Sequence, residues 1–249
     1  MADDSVRALG ALIADARSIG VLTGAGISTE SGIPDYRSPT GIWSQMQPIT
    51  YQEFVASEEA RLEDWRRRFI MNEDFARAQP NAGHRGLVAL DRVGKLRGLI
   101  TQNIDGLHLR SNCRPRRVVE IHGNATRGAC LDCYQSMDLS TVRTLIEGTG
   151  RAPRCPSCDG WVKAAVISFG QSLDQKTLED ALGIASDADL FLAIGSSLVV
   201  EPAASLPRIA QQSGARLVIV NQEPTPLDAH ADLVIHQRIG QVFDALGLG

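Results

Sequence analysis

The run Ile19-Gly20-Val21-Leu22-Thr23, followed without a break by Gly24-Ala25-Gly26-Ile27-Ser28, decides the fold. Its first half is short and apolar, as expected of a strand buried on both faces of a parallel sheet. Its second half turns sharply at the strand's carboxyl end. Glycines there let backbone amides approach a pyrophosphate, and the N-terminus of a following helix favours its charge. A tight turn holding no ligand is the plainer reading of this motif alone. A dehydrogenase fingerprint needs a third glycine where this chain has Thr29, and the acid that binds the ribose is also missing.

Around this run, strand-like and helical stretches alternate. Val6, Leu9, Leu12, Ile13 and Ala16 recur at helical spacing, with Asp3, Asp4 or Ser5 as caps. Further strands are expected at Leu96 to Thr101, Val118 to Ile121, Val162 to Phe169, Leu190 to Ile194 and Leu217 to Val220, with helices over 84–93 and 203–213. This alternation predicts an α/β fold, a doubly wound parallel sheet of Rossmann type. Two segments interrupt it: 34–80, which opens with Pro34, Pro39 and Gly41 and becomes helical and charged, and 129–161, which holds paired cysteines. The expected organisation is a discontinuous dinucleotide-binding domain (1–33, 81–128 and 162–249), a loop and helical module (34–80) and a metal module (129–161).

With 249 residues, 43% of them hydrophobic, the chain can bury one large core. A net charge of -4, with basic residues scattered among acidic ones, argues against nucleic acid as a direct partner. No apolar run approaches the ~20 residues of a membrane span, and the first residues lack a signal peptide's pattern, so a soluble cytoplasmic protein is expected. Of five cysteines, four form Cys130-x2-Cys133 and Cys155-x2-Cys158, 21 residues apart. In a reducing compartment, two such knuckles present four thiolates to one structural zinc ion and leave no open position for water. Cys113 stands outside the set as an ordinary thiol.

Four more motifs lie at the ends of apolar strands. Thr101-Gln102-Asn103-Ile104-Asp105-Gly106-Leu107-His108 brings amide and carboxylate groups suited to a carboxamide or ribose, although capping the next helix accounts equally for Asn103 or Asp105. His122 ends a strand at a position suited to a base facing the crevice, while a satisfied core histidine is the blander alternative. Gly195-Ser196-Ser197-Leu198 and Asn221-Gln222-Glu223 complete a crevice for an extended polar ligand, though each is also common turn chemistry.

In order along the chain, GAGIS (24–28), GIPDYR (32–37), TQNIDGLH (101–108), HG (122–123), the Cys-x-x-Cys pairs, FG (169–170), GSSL (195–198) and NQE (221–223) resemble the sirtuin family, and the match covers nearly the whole chain. The resemblance implies an NAD-dependent protein lysine deacylase with a structural zinc ion. It implies cofactor contacts from Gly24, Ala25, Gly26, Ser28 and Thr29, from Ile33, Pro34, Asp35, Tyr36 and Arg37, and from Gln102, Asn103, Ile104 and Asp105. Gly195, Ser196, Ser197, Asn221, Gln222, Glu223 and the late Ile239 fall where the family binds the adenosine half. His122 matches the catalytic base, with Asn103 and Asp105 beside it. Val166, Ile167, Ser168, Phe169 and Gly170 match the strand along which acyl-lysine proteins or peptides pair by β-augmentation. Lys163-Ala164-Ala165 replaces the common Lys-Pro pattern, and Gln171 the usual Glu.

By the same resemblance NAD is consumed, not reduced. The acyl oxygen attacks the nicotinamide ribose carbon, His122 takes a ribose hydroxyl proton, and nicotinamide, O-acyl-ADP-ribose and free lysine leave. The loop from Gly32 to Trp43 is expected to close over the cofactor. Mono-ADP-ribosyl transfer to proteins is the alternative within the family; a Rossmann oxidoreductase and a zinc-ribbon binding module lie further off. Trp65 and Arg68, three apart on an expected helix, are candidates to face an acyl pocket, against a solvated basic face as the plainer reading of Arg66 and Arg67. Trp65 lacks the tyrosine hydroxyl of sirtuins specialised for acidic acyl groups. Tyr36, the run Trp65 to Phe69 and the run Pro80 to His84 look instead like the sirtuin class of the mitochondrial lipoamidase, so an apolar acyl group is expected over succinyl.

Overall fold

The computed structural model describes residues 2–35, 41 and 46–249, with side chains from residue 4 onward; Tyr36 and Arg37 and most of the expected closing loop lie outside the described residues. Strand β1 (Ile19–Thr23) is buried along its whole length. It pairs in parallel with β2 (Leu96–Thr101) on one side and with β7 (Leu190–Ile194) on the other. With β3 (Val118–Glu120), β8 (Arg216–Val220) and β9 (Leu233–Ile235) these make a six-stranded parallel sheet in the order β3-β2-β1-β7-β8-β9. The order reverses between β1 and β7, and a crevice must open at the carboxyl ends of those two strands.

Both faces of the sheet are covered. One apolar layer joins Val21, Leu99, Leu192 and Val218 to Leu9 of α1 (Ala2–Asp15), Leu87 of α4 (Ala82–Arg92) and Phe243 of α9 (Ile239–Ala245). The other joins Leu22, Ile100, Phe191 and Leu217 to α7 (Gln175–Ser186) and α8 (Leu206–Gln212). Asp3, Asp4 and Ser5 lie inside α1 instead of capping it, because the helix already begins at Ala2. α4 starts at Ala82, two residues earlier than expected, because Asn81 caps it, its side chain accepting from the Gly83 and His84 amides.

One expected strand changes sheet. β6 (Val162–Val166) stops short of Phe169 and runs antiparallel to β4 (Gly123–Cys130), which also pairs with β5 (Ser136–Asp138), giving a second, three-stranded sheet. An apolar run specifies burial, not the sheet that supplies it. Gly123 (φ 77°) makes the pairing possible, since a Cβ there would meet the Ala165 carbonyl oxygen at 2.1 Å. A third core of Trp65, Phe75, Val142 and Val162 packs this sheet against α3 (Glu58–Arg77) and α6 (Leu139–Thr149); α2 (Tyr51–Ala56) precedes α3. No described helix is long and apolar enough to cross a membrane.

Candidate active site

Gly195 (φ 62°) lies so close to the first turn that a Cβ on it would meet the Ile27 nitrogen at 2.4 Å, and a Cβ on Gly24 would meet the Gly195 carbonyl oxygen at 2.7 Å. The glycines therefore let the loops after β1 and β7 touch. The amides of Gly24 and Gly26 donate to the Ile194 and Gly195 carbonyls, at 3.1 and 2.8 Å, and are not presented to a ligand as the sequence reading expected. A cavity of about 1370 Å³ opens beside this contact. Among its walls are Ala25, Thr29, Ile33, Pro34, Asp35, Gln102, Asn103, Ile104, His122, Ser197, Gln222, Glu223 and Ile239, so the structure gathers most of the expected residues.

The imidazole of His122 rests with Nδ1 3.2 Å from the Gln102 carbonyl oxygen. A carbonyl can only accept, so Nδ1 carries the proton and Nε2 is the basic nitrogen. Asn103 donates through Nδ2 to the Gly24 carbonyl and to Ser28 Oγ, both at 3.1 Å. Ser28 in turn donates to Asp105 Oδ2 at 2.7 Å, and Asp105 Oδ1 accepts from the Leu107 amide at 2.8 Å, at the start of α5 (Leu107–Arg110). Ser28 and Asp105 border a small void behind Asn103, not the main cavity. Burial pushes the Asp105 carboxyl above its ordinary range. Asp105 thus acts on the cavity through Ser28 and Asn103.

Beneath this network lies a buried histidine pair that the sequence reading missed. His84 and His108 have ring centroids 4.8 Å apart, and Thr23 Oγ1 meets His108 Nε2 and Thr101 Oγ1 at 2.9 Å each. Thr101 Oγ1 accepts from the Asn103 amide at 3.1 Å, which ties the pair to the site. Burial lowers His84 to about 4 and His108 well below 6.5. Both stay neutral when folded and take up protons when unfolded, so stability is full above about pH 6.5 and falls as pH drops towards 4. His84 alone contributes roughly 3 kcal/mol to that fall. Urea midpoints at pH 7.5 and 5 should differ more for the wild type than for His84→Gln; equal differences refute the assignment.

At the carboxyl ends of β7 and β8, Ser196 Oγ accepts from Gln102 Nε2 at 2.7 Å, and Asn221 Nδ2 donates to the Glu223 carbonyl at 2.6 Å. At the opposite end, Val166 closes β6, and a turn at residues 169–170 takes the place of the expected continuation of the strand. The Ile167 amide donates to the His122 carbonyl, the Phe169 carbonyl accepts from the Tyr51 amide, and the Gly170 carbonyl accepts from Gln52 Nε2. All five residues 166–170 border the cavity. α3 supplies a further wall through Asp64, Arg67, Arg68 and Met71, of which only Arg68 is expected from the sequence. Their spacing of three, four and seven residues marks one helix face, but an unpartnered sequence shows them only as a charged run. Trp65 departs from expectation, being fully buried with Nε1 donating to the Val162 carbonyl at 3.1 Å, and Arg67 faces the cavity instead of solvent alone.

Away from the cavity, the sulfurs of Cys130, Cys133, Cys155 and Cys158 all lie within 4.8 Å of one another. Four thiolates at about 2.3 Å from a shared tetrahedral ion stand roughly 3.8 Å apart, inside that span, so the donor set fits zinc. Zinc there is structural, since no ligand position remains for a substrate.

The Sir2 family profile matches residues 24–202. The chain is 53% identical over 238 residues to an NAD-dependent protein deacetylase of Rhodopseudomonas palustris, covering 96% of this chain and 94% of the relative. It is 39% identical over 244 residues to NAD-dependent protein deacylase 2 of Archaeoglobus fulgidus, covering 97% and 94%. Among solved structures, a Sir2 complex with a deacetylated peptide and 3'-O-acetyl ADP-ribose superposes with a TM-score of 0.88 at 34% identity, covering 97% of each chain. A Sir2 complex with peptide and NAD superposes with a TM-score of 0.86 at 34% identity, covering 96% and 95%. The chain belongs to the Sir2 family, the sirtuins.

Proposed function

We propose that this sirtuin removes acyl groups from protein lysines, using NAD as a co-substrate and releasing nicotinamide, O-acyl-ADP-ribose and free lysine. The observation that carries this reading is the place of His122 on a cavity shared with Asn103 and the glycine turn, with Nδ1 3.2 Å from the Gln102 carbonyl, a contact that leaves Nε2 as the basic nitrogen. Bound NAD supplies an electrophilic ribose carbon with nicotinamide as leaving group. The chain's own residues do the rest. His122 Nε2 accepts a ribose hydroxyl proton. Asn103, held by Gly24 and Ser28, orients the nicotinamide ribose, and Asp105 fixes Ser28. Ser196, Asn221, Glu223 and Ile239 receive the adenosine half.

On the other side, Val166 to Gly170 guide the substrate peptide, and α3 with the second sheet forms the acyl end of the cleft. An apolar acyl group is preferred over succinyl. Four thiolates reserved for metal suit a reducing compartment, which supports a cytoplasmic location. A panel of acyl-lysine peptides incubated with NAD tests the reading. Nicotinamide release should equal lysine unmasking in molar yield. Nicotinamide release with intact acyl-lysine and a mass gain on a protein acceptor would establish ADP-ribosyl transfer instead.

A further inference from the structure

We propose that Asp64 sets the acyl preference by occupying Arg68, so that the cavity wall is closed to acyl groups ending in a carboxylate. The inference rests on the deacylase reading above. α3 packs against β4 and β6. These are the strands next to His122, whereas the adenosine-side turn Asn221 to Glu223 follows β8 across the parallel sheet. An acyl-lysine laid past His122 therefore ends against α3, where Asp64, Arg67, Arg68 and Met71 border the cavity.

Each arginine of that wall is engaged by an acid one turn earlier. Arg67 Nε donates to Glu63 Oε1 at 2.6 Å, and its NH1 donates to the Gln47 carbonyl at 2.7 Å. Arg68 NH2 donates to Asp64 Oδ1 at 3.3 Å, with side-chain exposures of 16% and 5% for the two residues. Among the described residues this is the only hydrogen bond of the Arg68 side chain, and Arg68 Nε and Asp64 Oδ2 are buried without a partner. Behind the pair lies Lys163, 1% exposed, whose ammonium donates to the Val166 carbonyl at 2.5 Å and to the Ala164 carbonyl at 3.3 Å. Its charge is favoured by Asp64 and opposed by Arg68, and burial lowers it to about 8.

Among the described residues, Asp64 is thus the acid that faces both cations, Arg68 and Lys163. With it in place, a substrate carboxylate approaching Arg68 meets a like charge and a guanidinium already engaged on one side. Without it, Arg68 and Lys163 form an unbalanced pair of cations at the end of the acyl site. Specificity here comes from a repulsive element placed against one class of ligand.

The test compares succinyl and acetyl peptides of one sequence in the wild type, Asp64→Asn, Arg68→Met and the double variant. Turnover is read as kcat/KM, and binding without NAD by fluorescence anisotropy. Asp64→Asn should raise the succinyl-to-acetyl ratio at least about tenfold in both readouts, and adding Arg68→Met should return it to the wild-type value. In the wild-type background Arg68→Met should move the ratio less than about threefold. An unchanged ratio in Asp64→Asn that retains wild-type zinc content and melting temperature overturns the proposal. If Asp64→Asn does not fold, Arg68→Met decides: a tenfold or larger loss of the succinyl-to-acetyl ratio shows that Arg68 is already open to carboxylates and overturns it too. Absence of turnover on every acyl peptide sinks the deacylase reading, while the binding ratio still judges Asp64.

Discussion

His122→Ala is expected to lower deacylation by about 100-fold or more while changing the affinity for NAD by less than about threefold. The ring borders a cavity of about 1370 Å³, so most of the cofactor's contacts come from elsewhere. What the ring alone supplies is the basic Nε2, with its tautomer fixed by the Gln102 carbonyl. Removing it takes away an interaction made in the proton-transfer step and little ground-state binding. Asn103→Ala should also lower turnover, but less cleanly, because it releases Ser28 as well as the Gly24 carbonyl. Single-turnover rates with an acetyl peptide, set beside NAD titration by calorimetry, separate the two effects. More than about a tenth of the wild-type rate in His122→Ala would remove the residue from its assigned role.

The parallel sheet was legible because β1, β2, β7 and β8 are short, apolar and followed by turn residues, which is what double-sided burial demands. β6 obeys the same pattern, and nothing local distinguishes its antiparallel partner β4, which is held by a glycine turn and a distant strand. The strand-end polar residues were legible as a set, because doubly wound sheets gather them at one edge. Their individual roles were not. Asp105 and Asn103 belong to one motif, yet Asp105 ends behind the wall and Asn103 on it. The pairing of His84 with His108 was hidden because 24 positions separate two residues that meet only through the packing of α4 and α5. The α3 wall was obscured for the opposite reason. Its acids and bases are consecutive, and only the orientation fixed by Trp65 on the Val162 carbonyl decides which of them face the cavity.

Cys155→Ala should reduce bound zinc from about one equivalent per chain to below about a tenth and lower the melting temperature by roughly 10 °C or more. The two knuckles are built alike. The Cys130 amide donates to the Gln135 carbonyl and the Cys155 amide to the Gly160 carbonyl, and Tyr134 and Asp159, each after the second cysteine of its pair, share a φ of 61°. Such turns leave two sulfurs of each pair on one side, and all four meet at one point. Between them, residues 131–136 and 156–160 bury little apolar surface, with Tyr134 81% exposed, so side-chain packing cannot replace the ion. Loss of one thiolate leaves three ligands and an open position, and the knuckles detach from β4 and β6. Because β4 begins beside His122 and β6 ends at Val166, the damage should extend to turnover. Cys113→Ala is the control, since that thiol lies outside the cluster, buried and pushed up to about 11. Metal analysis and melting curves of the two variants decide the matter: zinc retained in Cys155→Ala, or lost equally in Cys113→Ala, would exclude the four-thiolate site.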